Sequence, residues 1–180
     1  IDQGRLALRD MDVRASRQPA LHTLATQLAS LIGNLIDAAN LSLDPDLDSY
    51  YLIDSSLVRI PGYLRDLADY RAQIETAGTH GTVDLNALAV QEFKLTAALD
   101  ALKGNLDKSY TRTPALETTL AKPLATLRES SDALHGAVAA IHLGDKHGRI
   151  DAASMRTLAD ANWAAAIAFL DAAAPEIDTL

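Results

Sequence analysis

Apolar side chains recur along this chain at alternating spacings of three and four residues. The clearest stripe lies between positions 50 and 74 and consists of Tyr50, Ile53, Leu57, Ile60, Leu64, Leu67, Arg71 and Ile74. Similar stripes begin at Leu21, Leu88, Leu120 and Trp163. An average repeat of 3.5 residues places one apolar stripe along a helix, and helices with such stripes pack side by side at shallow angles. The pattern therefore predicts long helices with apolar seams.

Turn-forming residues separate the stripes at 44–46, 78–82, 111–114 and 144–148, which leaves five helical segments. Each segment has about 30 residues, and a rise of 1.5 Å per residue makes each helix roughly 45 Å long. Short breaks between long helices favour antiparallel neighbours. We therefore predict an all-α fold: residues 1–180 form a single domain, an elongated antiparallel bundle of about five long helices.

Prolines are expected both to start helices and to bend them. Pro45 and Pro114 fall where a helix begins, a position that needs no amide hydrogen. Pro19, Pro61 and Pro123 fall inside helical patterns, where each removes a backbone hydrogen bond. We predict a kink at these three positions, with a tolerated bend as the alternative.

Composition narrows the possible functions. The 16 basic and 24 acidic side chains give a net charge of −8, which argues against a nucleic-acid partner because such binding needs a basic surface. The absence of cysteine excludes disulfides, thiolate zinc sites and a cysteine nucleophile. No apolar run is long enough to cross a bilayer. The chain opens without Met and ends within an apolar pattern, so we expect a fragment of a longer protein.

An aspartate series precedes the second helical segment. Asp44, Asp46 and Asp48 begin like a calcium loop, but Ser49 stands at the sixth position, where glycine is needed. Ser55 stands at the twelfth position, where a bidentate glutamate is needed. The three aspartates instead suit a helix start, where carboxylates interact favourably with the helix dipole.

Other candidates for metal binding and catalysis are weak. His135 and His142 are seven residues apart, whereas helical metal ligands are spaced by three or four. The chain contains no nucleophile elbow, phosphate-binding loop or dinucleotide fingerprint. We therefore expect no metal, no cofactor, no catalytic residue and no enzymatic activity in this domain.

Polar residues interrupt the predicted seams at Arg71, Glu92 and Asn162. A buried charge is costly unless it is paired, so each residue needs a partner, a water-filled cavity or a ligand. Two alternatives remain open, a polar contact that sets the helix register and a side chain that reaches out to solvent.

A polar cluster is expected near the start of the second segment. It comprises Tyr50, Tyr51, Asp54, Arg59 and Tyr63. Phenols, a carboxylate and a guanidinium could recognise a small polar ligand between helices, so these residues and Arg71 are our ligand-binding candidates. Asp54 lies beyond the helix start, and we expect a hydroxyl, a basic side chain or a ligand to hold it. Helix capping with core packing is the alternative.

Residues 39–54 carry a resemblance to a known family. The stretch ANLSLDPDLDSYYLID, followed by Ile60-Pro61, resembles a motif in the extracytoplasmic helical sensor domains of bacterial membrane receptors. Such receptors include methyl-accepting chemotaxis proteins, sensor histidine kinases and some diguanylate cyclases. Ser42 departs from the aliphatic residue usual there, and Ile53 replaces Met.

The resemblance implies a periplasmic domain between two transmembrane helices that are absent from this sequence. It also implies the sensor function of a histidine kinase or chemoreceptor, an unknown small-molecule ligand or periplasmic binding protein as partner, and a homodimer in the full-length receptor. Two other interpretations remain open, a helical module that docks on a periplasmic partner protein and a soluble cytosolic helical adaptor.

Overall fold

A computed structural model describes residues 47–80, 84–144 and 151–179, together with six positions between 23 and 34. Its elements are α1 (Leu47–Ile53), a π turn (Asp54–Arg59), α2 (Ile60–His80), α3 (Leu85–Arg112), α4 (Ala115–Gly144) and α5 (Ala152–Ile177). Helix α1, the π turn and α2 follow one another without a break, and we call them together the first rod. The all-α prediction is confirmed for these residues.

The first rod, α3, α4 and α5 form a ring in which each contacts two neighbours. The first rod contacts α3 and α5, and α4 contacts the same two helices. Contacts between side chains fix the direction of the rods. Between α3 and α4, Glu92 contacts His135 and Asp100 contacts Arg128, so later residues of α4 meet earlier residues of α3. These two helices are therefore antiparallel, as the short Thr113–Pro114 connection requires.

The predicted first helix lies outside the described residues, apart from six helical positions that include Leu31. Pro19, Asp44, Pro45 and Asp46 also lie outside them.

The helix boundaries agree with the turn chemistry at 111–114, where α3 ends at Arg112 and α4 begins at Ala115. The break predicted from Gly78 begins later, because α2 continues to His80. Asp84 and Asp151 cap α3 and α5, and each carboxylate accepts two backbone N–H bonds. Hydrogen bonds from Ser154 and Ala153 lower the pKa of Asp151.

The seams of α3 and α4 follow the sequence pattern. Their buried apolar residues are Leu88, Leu95, Leu99, Leu102 and Leu106 in α3, and Leu120, Leu124, Leu127, Leu134 and Val138 in α4.

Half of the predicted seam of the first rod is wrong by one residue. Ile53, Ile60, Leu67 and Ile74 are buried as predicted. The remaining predicted positions are only partly buried: Tyr50, Leu57, Leu64 and Arg71. Their places in the core belong to the residues one position earlier, which are Ser49, Ser56, Tyr63 and Tyr70.

The π turn determines which residues of α2 face the core. A regular α-helix returns to the same face after about seven residues, which would bring Arg59 onto the buried face of Leu52. Instead, the Ile60 N–H donates to the Ser55 carbonyl, five residues earlier. The wider turn accommodates one extra residue, so Ile60 is buried and Arg59 remains at the edge. Pro61 follows two residues later, and α2 continues through it.

The predicted seam of α5 is also displaced. Its predicted members Trp163 and Leu170 are partly buried and Ile167 is 37% exposed. The buried positions are Met155, Ala159, Asn162, Ala165, Ala166, Phe169 and Ala173. Alanines on this face allow close approach of a neighbouring helix, which outweighs the larger apolar area of the predicted stripe.

Candidate functional site

Asp54 connects the π turn to α3. Its Oδ2 atom accepts hydrogen bonds from Arg59 Nε at 2.6 Å and from Asn105 Nδ2 at 2.5 Å. Asn105 is buried on α3, and the side chains of Asp54 and Arg59 are 19% and 36% exposed. Of the three expected partners of Asp54, a hydroxyl, a basic side chain or a ligand, the structure shows a basic side chain, Arg59, together with the amide of Asn105. Sequence analysis missed Asn105, because no local pattern indicates which residue of a distant helix faces the π turn.

Tyr50 and Tyr51 lie one turn before Asp54. Their rings meet edge to face with centroids 5.3 Å apart. Lys108 Nζ lies 4.5 Å from the centre of the Tyr51 ring, a cation–π contact between the first rod and α3. Because Lys108 lies three residues after Asn105, Tyr51 and Asp54 contact the same stretch of α3.

Buried hydroxyl groups adjoin Asp54 in the π turn. Ser55 and Ser56 are at most 2% exposed, and their Oγ atoms make no hydrogen bond with the described residues. Buried polar atoms normally have a partner, so the π turn is a polar interruption of the core.

Tyr63 belongs to a different set of contacts. Its hydroxyl donates to Asn162 Oδ1 at 2.6 Å, and Asn162 Nδ2 donates to Ser130 Oγ at 3.0 Å. The Ser131 hydroxyl also lies beside the phenol, and burial is the main cause that raises the pKa of Tyr63. These four residues, which we call the Tyr63 layer, connect the first rod, α4 and α5. The predicted partner requirement of Asn162 is thus met within the core.

Arg71 and Glu92 find partners near the bundle surface. Arg71 Nη2 lies 2.8 Å from Asp160 Oδ1 on α5, and both side chains are substantially exposed. Glu92 Oε2 lies 3.5 Å from His135 Nδ1 on α4, and the Glu92 side chain is 12% exposed. The seam position predicted for Arg71 is wrong, because its neighbour Tyr70 is buried in its place.

The structure therefore divides the predicted ligand-binding candidates into three groups. Tyr50, Tyr51, Asp54 and Arg59 lie beside α3, as their contacts show. Tyr63 joins α4 and α5, whereas Arg71 pairs with Asp160 on α5. These contacts do not bring all six residues together.

Sequence analysis did not identify a row of buried hydroxyl-bearing residues along the first rod. Ser49, Ser56, Tyr63 and Tyr70 are spaced by seven residues, and all four are buried. The Tyr70 hydroxyl makes no hydrogen bond with the described residues. Burial, with a smaller contribution from the negative charge of Glu92, strongly raises the pKa of Tyr70. Within regular helix α2, the seven-residue spacing of Tyr63 and Tyr70 is the signal that could have placed them on one face.

The remaining sequence predictions concern the aspartate series, metals and membranes. Asp48 lies in α1, whereas Asp44 and Asp46 lie outside the described residues. Across 47–80, 84–144 and 151–179, no three His, Asp or Glu side chains come together as a metal site. None of the helices in these ranges is long and apolar enough to span a membrane.

Comparisons with protein-family models, curated proteins and solved structures found no match to this chain.

Proposed function

We propose that this chain is an extracytoplasmic sensor domain of a bacterial transmembrane receptor, a histidine kinase or a chemoreceptor. The observation that carries the proposal is the resemblance of residues 39–54 to the motif of such domains. The all-helical fold is compatible with this family. The last motif residues, Tyr51 and Asp54, contact α3, so a conformational change at the motif would alter the packing of the first rod against α3.

In the proposed mechanism, a ligand favours one of two arrangements of the helices. A helix displacement of about 1–2 Å then passes to the membrane. The proposal includes periplasmic localisation, a homodimer in the full receptor, a further long helix that precedes the break at residues 44–46, and kinks at prolines. A ligand must bind one arrangement more tightly than the other, because equal affinity for both would leave their relative populations unchanged.

Localisation can be tested with a single introduced cysteine, because the sequence has none. Ala121 is exposed on α4, so Ala121→Cys in the full natural protein offers a thiol at the surface. A membrane-impermeant maleimide should label this variant in intact cells more strongly than the unsubstituted protein. Labelling that appears only after lysis would overturn the periplasmic location and the sensor proposal with it.

The signalling role can be tested by comparing two aspartates. Asp54→Ala should change the basal output of the full receptor, because it removes the contacts to Arg59 and Asn105. Asp107→Ala is the matched control, since Asp107 is exposed on α3 and pairs with Lys103 four residues earlier on the same helix. Equal output from both variants and the parent would contradict a role for the motif in signalling.

A docking module is the second candidate function. Val90 and Phe93 lie three residues apart on α3 and are 56% and 75% exposed. Exposed large apolar side chains in proximity are typical of protein-interaction surfaces. A photo-crosslinking residue at Phe93 should then capture a periplasmic binding protein in living cells, whereas one at Ala121 should not. Equal products from both positions would argue against a specific docking surface.

A further inference from the structure

Two of the apolar stripes predicted from the sequence remain at the surface of the bundle. On the first rod the stripe contains Leu57 and Leu64, which are only partly buried, and the exposed Ala68 lies one turn after Leu64. On α5 the stripe contains Trp163, which is partly buried, and Ile167, which is 37% exposed. Both helices therefore carry a second apolar face beside the one that packs in the ring.

These two faces border the same groove. Arg71 Nη2 lies 2.8 Å from Asp160 Oδ1, so the faces that carry these two residues meet along one side of the contact between the first rod and α5. Leu64 precedes Arg71 by seven residues, or two helical turns, and lies on the same face of α2. Trp163 and Ile167 follow Asp160 by three and seven residues and lie on its face of α5. We call the space between these faces the outer groove.

The first rod and α5 run in opposite directions along the outer groove. The connections at 81–84, 113–114 and 145–151 are short, which favours antiparallel neighbours and gives α5 the reverse direction of the first rod. Inside the ring, Tyr63 bonds to Asn162 and fixes the relative height of the two helices. The half of the first rod that precedes Tyr63 therefore lies beside the half of α5 that follows Asn162.

A helix that precedes the first rod needs an apolar partner. The structure describes six helical positions between 23 and 34, and five of them are exposed: Thr23, Gln27, Ser30, Leu31 and Asn34. The four polar ones recur at spacings of four and three residues, which marks the solvent side of an amphipathic helix. Positions 21, 25, 28 and 32 fall on the opposite side of such a helix, and the sequence has Leu, Ala, Leu and Ile there. An amphipathic helix is stabilised chiefly by packing of its apolar side, so this side requires a surface to cover it.

The length of the chain allows this segment to reach the outer groove. Residues 37–46 connect position 36 to Leu47, where the first rod begins, and ten residues span at most about 35 Å. A helix over 21–36 is about 24 Å long, and a short connection favours an antiparallel neighbour. The segment would then run beside the first half of the first rod, where Leu57 and Leu64 border the groove.

We propose that residues 21–36 form a helix that docks in the outer groove and packs Leu21, Leu28 and Ile32 against the first rod and α5. The proposal rests on the further helix included in the proposed function, but it does not depend on the sensor role. It also explains why periodicity predicted seams that the ring leaves only partly buried. The first rod and α5 each have two apolar faces because each has partners on two sides.

The only tryptophan of the chain, Trp163, borders the outer groove and reports on its occupancy. Leu28→Asp places a charge on the apolar side of the segment and should release it from the groove. The emission of Trp163 should then shift to longer wavelength, and acrylamide should quench it more strongly. Gln27→Asp is the matched control, because Gln27 is polar and exposed, and its spectrum should equal that of the parent. An unchanged spectrum for Leu28→Asp would overturn the proposal, and so would an equal shift for Gln27→Asp.

Cross-linking tests the same contact without an introduced charge. Because the sequence has no cysteine, Leu28→Cys can be combined with Leu64→Cys on the first rod or with Ile167→Cys on α5. A short bismaleimide should join both pairs within one chain, and mass spectrometry of the digested monomer identifies the linked peptides. Leu28→Cys with Phe93→Cys is the control pair, because Phe93 is exposed on α3 and does not border the groove. Circular dichroism of each variant establishes that it is folded.

Three results of the cross-linking would overturn the proposal. Equal linkage of Leu28→Cys to Phe93→Cys would show that the segment has no fixed position. Linked dimers in place of linked monomers would assign the groove to a second copy of the chain. Absence of linkage to both Leu64→Cys and Ile167→Cys would place the segment elsewhere. The sensor proposal is tested separately by the labelling of Ala121→Cys, so the two proposals can fail independently.

Discussion

Arg59 donates a hydrogen bond to Asp54 from five residues further along the same rod. In a regular α-helix, two residues five apart point about 140° away from each other and cannot pair. The π turn brings them to one side and places Ile60 in the core. The ion pair and the packing register therefore depend on the same extra residue.

Deletion of Val58 should convert the π turn to regular α-helix without unfolding the protein. Val58 is 49% exposed, and its removal leaves α2 facing the core as before. Asp54 and Arg59 would then stand four residues apart, a spacing worth about 0.3–0.5 kcal/mol on a helix surface. We expect a cooperative thermal transition within a few degrees of the parent's, measured by circular dichroism.

Deletion of Ala68 is the control for this experiment. Ala68 is exposed like Val58, but it lies in regular α-helix, so its loss turns Tyr70 and Ile74 away from the core. This variant should lose cooperative unfolding. If both deletions have the same effect, the π turn does not set the register.

Two tyrosines seven residues apart should respond in opposite ways to the same substitution. Tyr63→Phe removes the donor to Asn162 and should destabilise the domain by about 1–2 kcal/mol. Tyr70→Phe removes a buried hydroxyl that makes no hydrogen bond with the described residues, so it should be neutral or stabilising. Urea unfolding measures both free energies, and equal losses would contradict these hydrogen-bond assignments.

The corrected register predicts unequal effects of a charge at two neighbouring seam positions. Ile60→Asp places a charge at a fully buried site and should cost more than about 4 kcal/mol. Leu57→Asp, which the sequence pattern alone would rank as equally severe, acts at a partly exposed edge and should cost about 1–2 kcal/mol. A lower melting temperature for Leu57→Asp than for Ile60→Asp would restore the seam expected from sequence.

Alkaline pH should destabilise the domain through the phenols whose pKa is raised by burial, which are those of Tyr63, Tyr70 and Tyr110. Burial raises the pKa of Tyr110 to about 12 and raises that of Tyr70 further, from an ordinary value of 10.0. Both groups hold their protons more tightly in the folded state, so this stability is complete below about pH 10 and lost as the pH rises toward 12. The melting temperature should fall between about pH 10 and pH 12.

The double variant Tyr70→Phe/Tyr110→Phe should show a smaller fall over this range. Tyr50→Phe is the control, because it leaves Tyr63, Tyr70 and Tyr110 in place. A fall of the same size in the double variant and the control would show that other groups cause the alkaline loss.

The sequence by itself determined the helical class, the seams of α3 and α4, and the need of Asp54 for a partner. Leucines at three- and four-residue spacing leave one buried face for α3 and α4, so periodicity is sufficient there. The carboxylate of Asp54 lies near the core, and the desolvation of a charge requires compensation in any fold.

Only the tertiary structure decided the registers of the first rod and α5. Two adjacent faces of each helix carry apolar residues, and periodicity cannot choose between faces one residue apart. In α5 the face with alanines is buried, although the face with Trp163 carries larger apolar side chains. In the first rod, the register after the π turn buries Tyr63 and Tyr70 and leaves Leu64 and Arg71 partly exposed. The physical reason is that the burial of a helix face depends on the side chains of the neighbouring helix that pack against it. The pairings of Asn105 with Asp54 and of Asn162 with Tyr63 likewise join residues that are distant in sequence.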